Sequence, residues 1–111
     1  MEKVVVQKIV IKVPDVAKRY FSLISAVNQL ELTDKEINVL AYIANVGLDS
    51  KEKKDEFCKM YDTTMPTIYN VVSKLKKIGM VVKDGGVTKL NRVFEFDYKK
   101  DVQLQIDIRH E

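Results

Sequence analysis

Apolar residues recur along this chain with two different periods, and the switches between periods mark out its elements. Residues 4–13 alternate as a strand does: Val5, Ile9, Ile11 and Val13 share one face, with Lys8 and Lys12 on the other. Pro14 ends that strand and opens a helix, with Asp15 in its first turn. Val16, Tyr20, Leu23, Ile24 and Val27 then follow at helical spacing, predicting a first helix over 15–29. Thr33 begins the second helix. Its spacing to Glu36 is that of a capping box, which satisfies two backbone donors at once. Ile37, Leu40, Ala41 and Ala44 form the stripe of that helix, and Gly47 suits a left-handed cap at its end. Asp49 or Ser50 can cap a third helix over roughly 51–60, with Phe57 and Met60 facing inward and Asp62-Thr63 as a tight turn after it.

The fourth helix is the most strongly marked. Thr64 is a good N-cap, and Pro66 is tolerated in a first turn. Ile68, Val71, Val72, Leu75 and Ile78 recur at spacings of three and four, predicting a helix from Thr64 to Ile78 that Gly79 stops. Met80–Lys83 reads as a short strand, Asp84-Gly85-Gly86 as a hairpin turn, and Val87 onward as a return strand through Leu90, Phe94 and Phe96. Lys99-Lys100-Asp101 breaks it. Val102, Leu104, Ile106 and Ile108 then alternate with Gln103, Gln105, Asp107 and Arg109, as in a half-buried strand.

Composition narrows the class. With 111 residues, 46% hydrophobic and 32% charged, the chain is expected to form a single globular domain. It divides into an N-terminal strand and helix (1–32), a central unit (33–98) and a C-terminal strand (99–111). No run of about 18 apolar residues predicts a membrane span, and the first residues lack the pattern of a signal peptide. Cys58 is the single cysteine, more in keeping with a small core residue than a redox sensor, so a cytoplasmic location is expected. The terminal His110 carries no expected chemistry. Charge is unevenly distributed. From Lys51 to Arg92 there are 10 basic and 5 acidic residues, a net +5, whereas the remainder has 9 basic and 11 acidic, a net −2. Such a segment suits a phosphate-binding face, although it also suits a solvated lysine-rich surface.

From Thr33 the expected order is helix, helix, turn, helix, strand, Gly-Gly hairpin, strand. Residues 57–70, Phe57-Cys58-Lys59-Met60-Tyr61-Asp62-Thr63-Thr64-Met65-Pro66-Thr67-Ile68-Tyr69-Asn70, resemble the helix-turn-helix of bacterial winged-helix regulators. Leu75-Lys76-Lys77-Ile78-Gly79-Met80-Val81 is similar to their leucine, polar residues, glycine and apolar pair. The resemblance spans roughly residues 33–96, and the nearest group is the MarR-like regulators. It implies an α+β fold: a winged helix-turn-helix with a three-helix core and a β-hairpin wing, extended by an N-terminal strand and helix and a C-terminal strand. The function it implies is sequence-specific binding of double-stranded DNA in transcription regulation, with residues 64–78 as recognition helix and 80–96 as wing.

Chemistry along that helix fits a major-groove reader, which needs an apolar face for the core and a polar face for base edges. Thr64, Met65, Thr67, Tyr69, Asn70, Ser73, Lys74 and Lys77 supply the polar face, and Lys83 and Lys89 flank the hairpin turn. Asn70 suits bidentate bonding to adenine, and Thr67 and Met65 suit a thymine methyl. Tyr69, Ser73 and Lys74 suit phosphates or bases. Lys51, Lys53, Lys54 and Lys59 suit flanking phosphates, which position without specifying. Each has a plainer alternative: Asn70 and Thr67 as solvated residues, Tyr69 packed on a neighbouring helix, and Lys83 and Lys89 keeping the hairpin soluble.

The chain carries no enzyme signature, and no cofactor or metal is expected. Partners are expected to be duplex DNA and a second copy of the chain. The terminal strands can pair with each other, or they can pair across a two-fold axis, with Tyr20, Phe21, Leu23, Ile24 and Val27 in the dimer interface. The alternative function is a winged helix that holds another protein in a transcription or replication complex, or the DNA-binding part of a replication initiator.

Overall fold

The computed structural model describes residues 3–11 and 15–110. The expected strand end at Lys12 and Val13 and the helix-opening role of Pro14 lie outside the described residues. The fold is α+β. Strand β1 (Lys3–Ile11) precedes four helices: α1 (Val16–Val27), α2 (Asp34–Asn45), α3 (Lys51–Tyr61) and α4 (Met65–Lys77). A hairpin of β2 (Val81–Asp84) and β3 (Val87–Leu90), a 3-10 turn (Arg92–Phe94) and β4 (Val102–His110) complete the order. Two antiparallel sheets of two strands each are formed, β1 with β4 and β2 with β3.

Helix α2 is the centre. Val39, Leu40, Ala41, Tyr42 and Ile43 are five consecutive buried residues, so this helix is covered on all sides. Its start is the expected capping box: Glu36 N–H donates to Thr33 Oγ1 at 3.2 Å, and Thr33 N–H donates to Glu36 Oε1 at 2.8 Å. At its end Gly47, at φ +100°, donates its N–H to the Tyr42 carbonyl at 2.9 Å. Helix α1 starts at Val16. Asp15 is therefore not in its first turn but at the N-cap, with φ +69° and no side-chain cap bond. Tyr20 and Phe21 are buried in the core with Val16 and Ala17, which removes them from any interface between copies of the chain. Phe21 stacks on Tyr98 with ring centroids 5.7 Å apart, and Tyr20 meets Phe96 edge-on at 4.8 Å.

Helix α3 is capped by Ser50, whose hydroxyl accepts from Lys53 N–H at 3.2 Å. Asp49 instead pairs with the Lys53 ammonium at 2.8 Å. Phe57 is fully buried, but Met60 is 58% exposed and does not face inward as expected. The inward row runs from Phe57 to Tyr61, at spacing four rather than three, and their rings lie 4.6 Å apart. Asp62 takes a left-handed turn at φ 49° and Thr63 N–H closes on the Cys58 carbonyl at 3.0 Å, giving the tight turn into α4.

Ile68, Val71 and Leu75 bury the inner face of α4, with Val72 half-buried beside them. Ile78 follows the last helical residue as its C-cap and is 41% exposed, so it leaves the stripe. Gly79, at φ +81°, turns the chain into β2. The return strand ends at Leu90, short of the expected Phe94 and Phe96. Asn91 breaks it: its side chain donates to the Gly79 carbonyl at 3.0 Å and accepts from Val93 N–H at 3.2 Å, which starts the 3-10 turn. Phe94 and Phe96 are thereby delivered to Tyr20, within edge-on contact.

The terminal strands pair with each other within one chain, from Lys3 opposite His110 to Ile11 opposite Val102. This is the pairing of the terminal strands with each other that the sequence allowed, and β1 also contacts α1.

Placing α1 in the core has a measurable consequence. Phe21→Ala is expected to cost about 3–5 kcal/mol, as for other fully buried aromatics. Val27→Ala, at a position 52% exposed, should stay within about 0.5 kcal/mol. Urea unfolding of the two variants, compared at several protein concentrations, checks both the ranking and its independence of concentration.

Candidate nucleic-acid interface

A 100° step per residue on α4 puts Pro66, Asn70, Ser73 and Lys77 opposite the buried row of Ile68, Val71 and Leu75. All four are exposed. The helix therefore presents an amide, a hydroxyl and an ammonium along one outward line.

On one flank of this line, Tyr69 and Lys76 face the hairpin. A two-residue turn with Gly85 at φ 58° and Gly86 at φ 82° sets the hairpin register, with Lys83 opposite Thr88. Both glycines occupy the left-handed region that a type I′ turn needs. That register puts Lys83 and Thr88 on the hairpin face that carries Val81 and Leu90, which are buried at its base. Lys83, Thr88 and Gly86 then line a cleft with Tyr69, Val72, Ser73, Lys76 and Lys54, about 210 Å³ in volume. Lys54 of α3 stands over the Tyr69 ring, its ammonium 5.5 Å from the centroid. Lys54, Lys76 and Lys83 thus line one cleft with an exposed tyrosine.

On the other flank lie Thr67 and Lys74, and Lys74 reaches α2. Lys74 Nζ lies 2.7 Å from Glu36 Oε2, and the Glu36 side chain is 6% exposed. Burial alone would raise the Glu36 pKa, but hydrogen bonds from Lys74 and Thr33 outweigh it and hold the carboxyl below its ordinary value.

The expected contact residues thus separate. Tyr69, Ser73 and Lys83 are brought together in the cleft, and Asn70 and Lys77 lie beside it on the outward line. Thr64 is at the N-cap, with its hydroxyl 3.0 Å from that of Thr67 and no cap bond to the helix backbone. Met65 is half-buried and packs against the core. Lys74 is held by Glu36. Lys89, one residue beyond Thr88, falls on the opposite hairpin face, 3.7 Å from Asp84. Two cleft residues were not among those expected. Lys76 follows Tyr69 by seven residues and Ser73 by three, a spacing that signals their shared face. Thr88 is the partner of Lys83 once a two-residue turn is assumed.

No protein-family model matches this chain, and neither does any curated protein or solved structure. Among the described residues no helix is long and apolar enough to cross a membrane, and no group of three or more metal-ligating side chains gathers.

The Glu36 carboxyl makes a pH-dependent contribution whose sign follows from its lowered pKa. A group with a depressed folded-state pKa stabilises the fold above its unfolded value, about 4.3, and loses that effect as pH falls through the folded value. Glu36→Gln should therefore be less stable than the parent near neutrality. The gap should narrow as pH drops below about 4. Urea unfolding at a series of pH values between those limits reads the difference.

Proposed function

We propose that this chain is a winged helix-turn-helix that binds double-stranded DNA sequence-specifically as a transcription regulator in the cytoplasm. Helix α4 is then the recognition helix and β2–β3 the wing. The observation that carries this reading is the outward line of Asn70, Ser73 and Lys77 beside a cleft ringed by Lys54, Lys76 and Lys83. A helix is about the right width for the major groove, and an amide there bonds adenine bidentately. Lysines alongside bind phosphates and fix the register of the helix on the duplex. The uncapped first turn of α4 adds a positive dipole end for a further phosphate. Action as a homodimer on two half-sites belongs to the same reading. Tyr20 and Phe21 are in the core, so of the expected α1 contacts Leu23, Ile24 and Val27 remain at the surface for a two-fold interface.

One observation favours a second reading, in which the winged helix holds a protein of a transcription or replication complex. Val93 is 75% exposed and Ile78 41% exposed, at a cleft they share with Ile24, Leu30 and Phe94. That surface shares no residue with the lysine-ringed cleft, so the two readings predict different sensitive residues.

Duplex selection from a random pool, followed by fluorescence titration, separates them. The DNA reading expects micromolar or tighter binding at about 50 mM salt, falling steeply as salt rises. Lys77→Gln and Lys83→Gln should each weaken binding to all sequences and reduce the salt slope by about one. Asn70→Ala should cost about 1–3 kcal/mol of discrimination at one base pair. Absence of duplex binding at these concentrations, with a partner lost on Val93→Asp, would establish the second reading instead.

A further inference from the structure

Lys74 occupies the recognition helix, yet its ammonium is turned away from the outward line. Glu36 sits in the first turn of α2 and is 5% exposed. Each of its carboxylate oxygens has a partner: Oε1 accepts from the Thr33 N–H at 2.8 Å, and Oε2 lies 2.7 Å from Lys74 Nζ. A buried carboxylate deprived of its cation is strongly destabilising. A Lys74 that reached for a DNA phosphate would leave Glu36 in that state. Lys74 is also one residue along α4 from Ser73 and four from Asn70. The ion pair therefore ties the base-reading helix to the first turn of α2 at the level of that line.

Resting on the DNA reading above, we propose that Glu36 and Lys74 form one positioning unit that sets the rotation of α4 on α2. Lys74 thus governs sequence discrimination through Glu36 and not by touching the duplex. The capping box makes the unit rigid, because the same carboxylate that holds Lys74 is anchored to the backbone of Thr33. Misplacing a recognition group by about 1 Å is enough to cost large factors in its function. Non-specific attraction, which depends on the total phosphate neutralised, is insensitive to that rotation.

The test uses the full chain with Glu36→Gln, Lys74→Gln and the double variant. Glutamine is a natural occupant of the capping-box position, so Glu36→Gln removes the charge and keeps the cap. Binding is measured to the selected duplex and to a random duplex of equal length across a range of salt. Each single variant should lose about tenfold in the ratio of the two affinities, with the salt slope unchanged. The double variant should be no worse than the weaker single one, because the pair acts as a unit. A fall of about one in the slope for Lys74→Gln, with both duplexes weakened alike and Glu36→Gln unaffected, would make Lys74 a phosphate contact and overturn the proposal. Lower melting temperatures with an unchanged affinity ratio would reduce the pair to a structural role and overturn it too. Should Lys74→Gln fail to fold, Glu36→Gln decides alone: loss of the ratio supports the proposal and an intact ratio overturns it. A parent chain that binds neither duplex fails at the earlier step, overturning the DNA reading and this proposal with it.

Discussion

A helix buried around its whole circumference can hold no charge along its middle, and everything packed on it must complete its ends. Helix α2 is under that constraint from Ile37 to Ile43. Its polar side-chain groups there are the amide of Asn38, which is only half-buried, and the buried hydroxyl of Tyr42. Two N–H groups at the start of the helix are met by Thr33 and Glu36, and the turn at Gly47 closes on the Tyr42 carbonyl at its end. The remaining elements then have one surface to share. Helix α1 covers one side with Tyr20 and Phe21, and α4 covers another with Ile68, Val71 and Leu75. Hairpin residues Val81 and Leu90 close the base, and the aromatic run from Phe94 to Tyr98 seals the side toward α1.

That arrangement explains which features could be read from the residues alone. The capping box, the glycine ends, the α4 stripe and the Gly-Gly hairpin are local signals, each set by backbone chemistry within a few residues. The capping box, the glycine ends and the hairpin appear in the structure where the pattern placed them, and the stripe does so from Ile68 to Leu75. Signals that depend on a distant partner were less legible. Met60 and Phe57 share a helical spacing, but the position of α3 against α2 and α4 selects Tyr61 over Met60 as the second inward residue. Phe94 and Phe96 look like strand residues until Asn91 finds the Gly79 carbonyl, twelve positions back along the chain. Helix α1 carries an apolar face that could have been spent on another molecule. Its use in the core depends on the aromatic run at the far end of the chain.

The candidate interface shows the same division. Helical phase alone identifies Asn70, Ser73 and Lys77 as outward, and phase also contains Lys76. Phase cannot say which lysines are already engaged. Lys74 and Lys77 are equivalent in composition and both are exposed, but only Lys74 has a buried carboxylate within 2.7 Å. Lys83 and Lys89 are likewise equivalent until register sends them to opposite faces of the hairpin. A count of positive charge along residues 51–92 therefore overstates the charge that one surface can direct at a polyanion. The +5 of that segment is divided between the α4 cleft, the α2 flank and the far side of the hairpin.

The joint at Gly79 and Asn91 has a mechanical meaning. Asn91 bonds to the carbonyl of Gly79 by its side chain and to that of Met80 by its backbone, and the Met80 N–H returns to the Leu75 carbonyl at 2.9 Å. The foot of the hairpin is thus bolted to the last turn of α4, with no slack segment between them. The four-residue strands act as a lever about 13 Å long pivoting on that joint. A turn of α4 by about 5° would swing the hairpin tip by roughly 1 Å in the same sense. Helix and hairpin are thus hinged at one shared joint, and the cleft they line with Lys54 opens away from it.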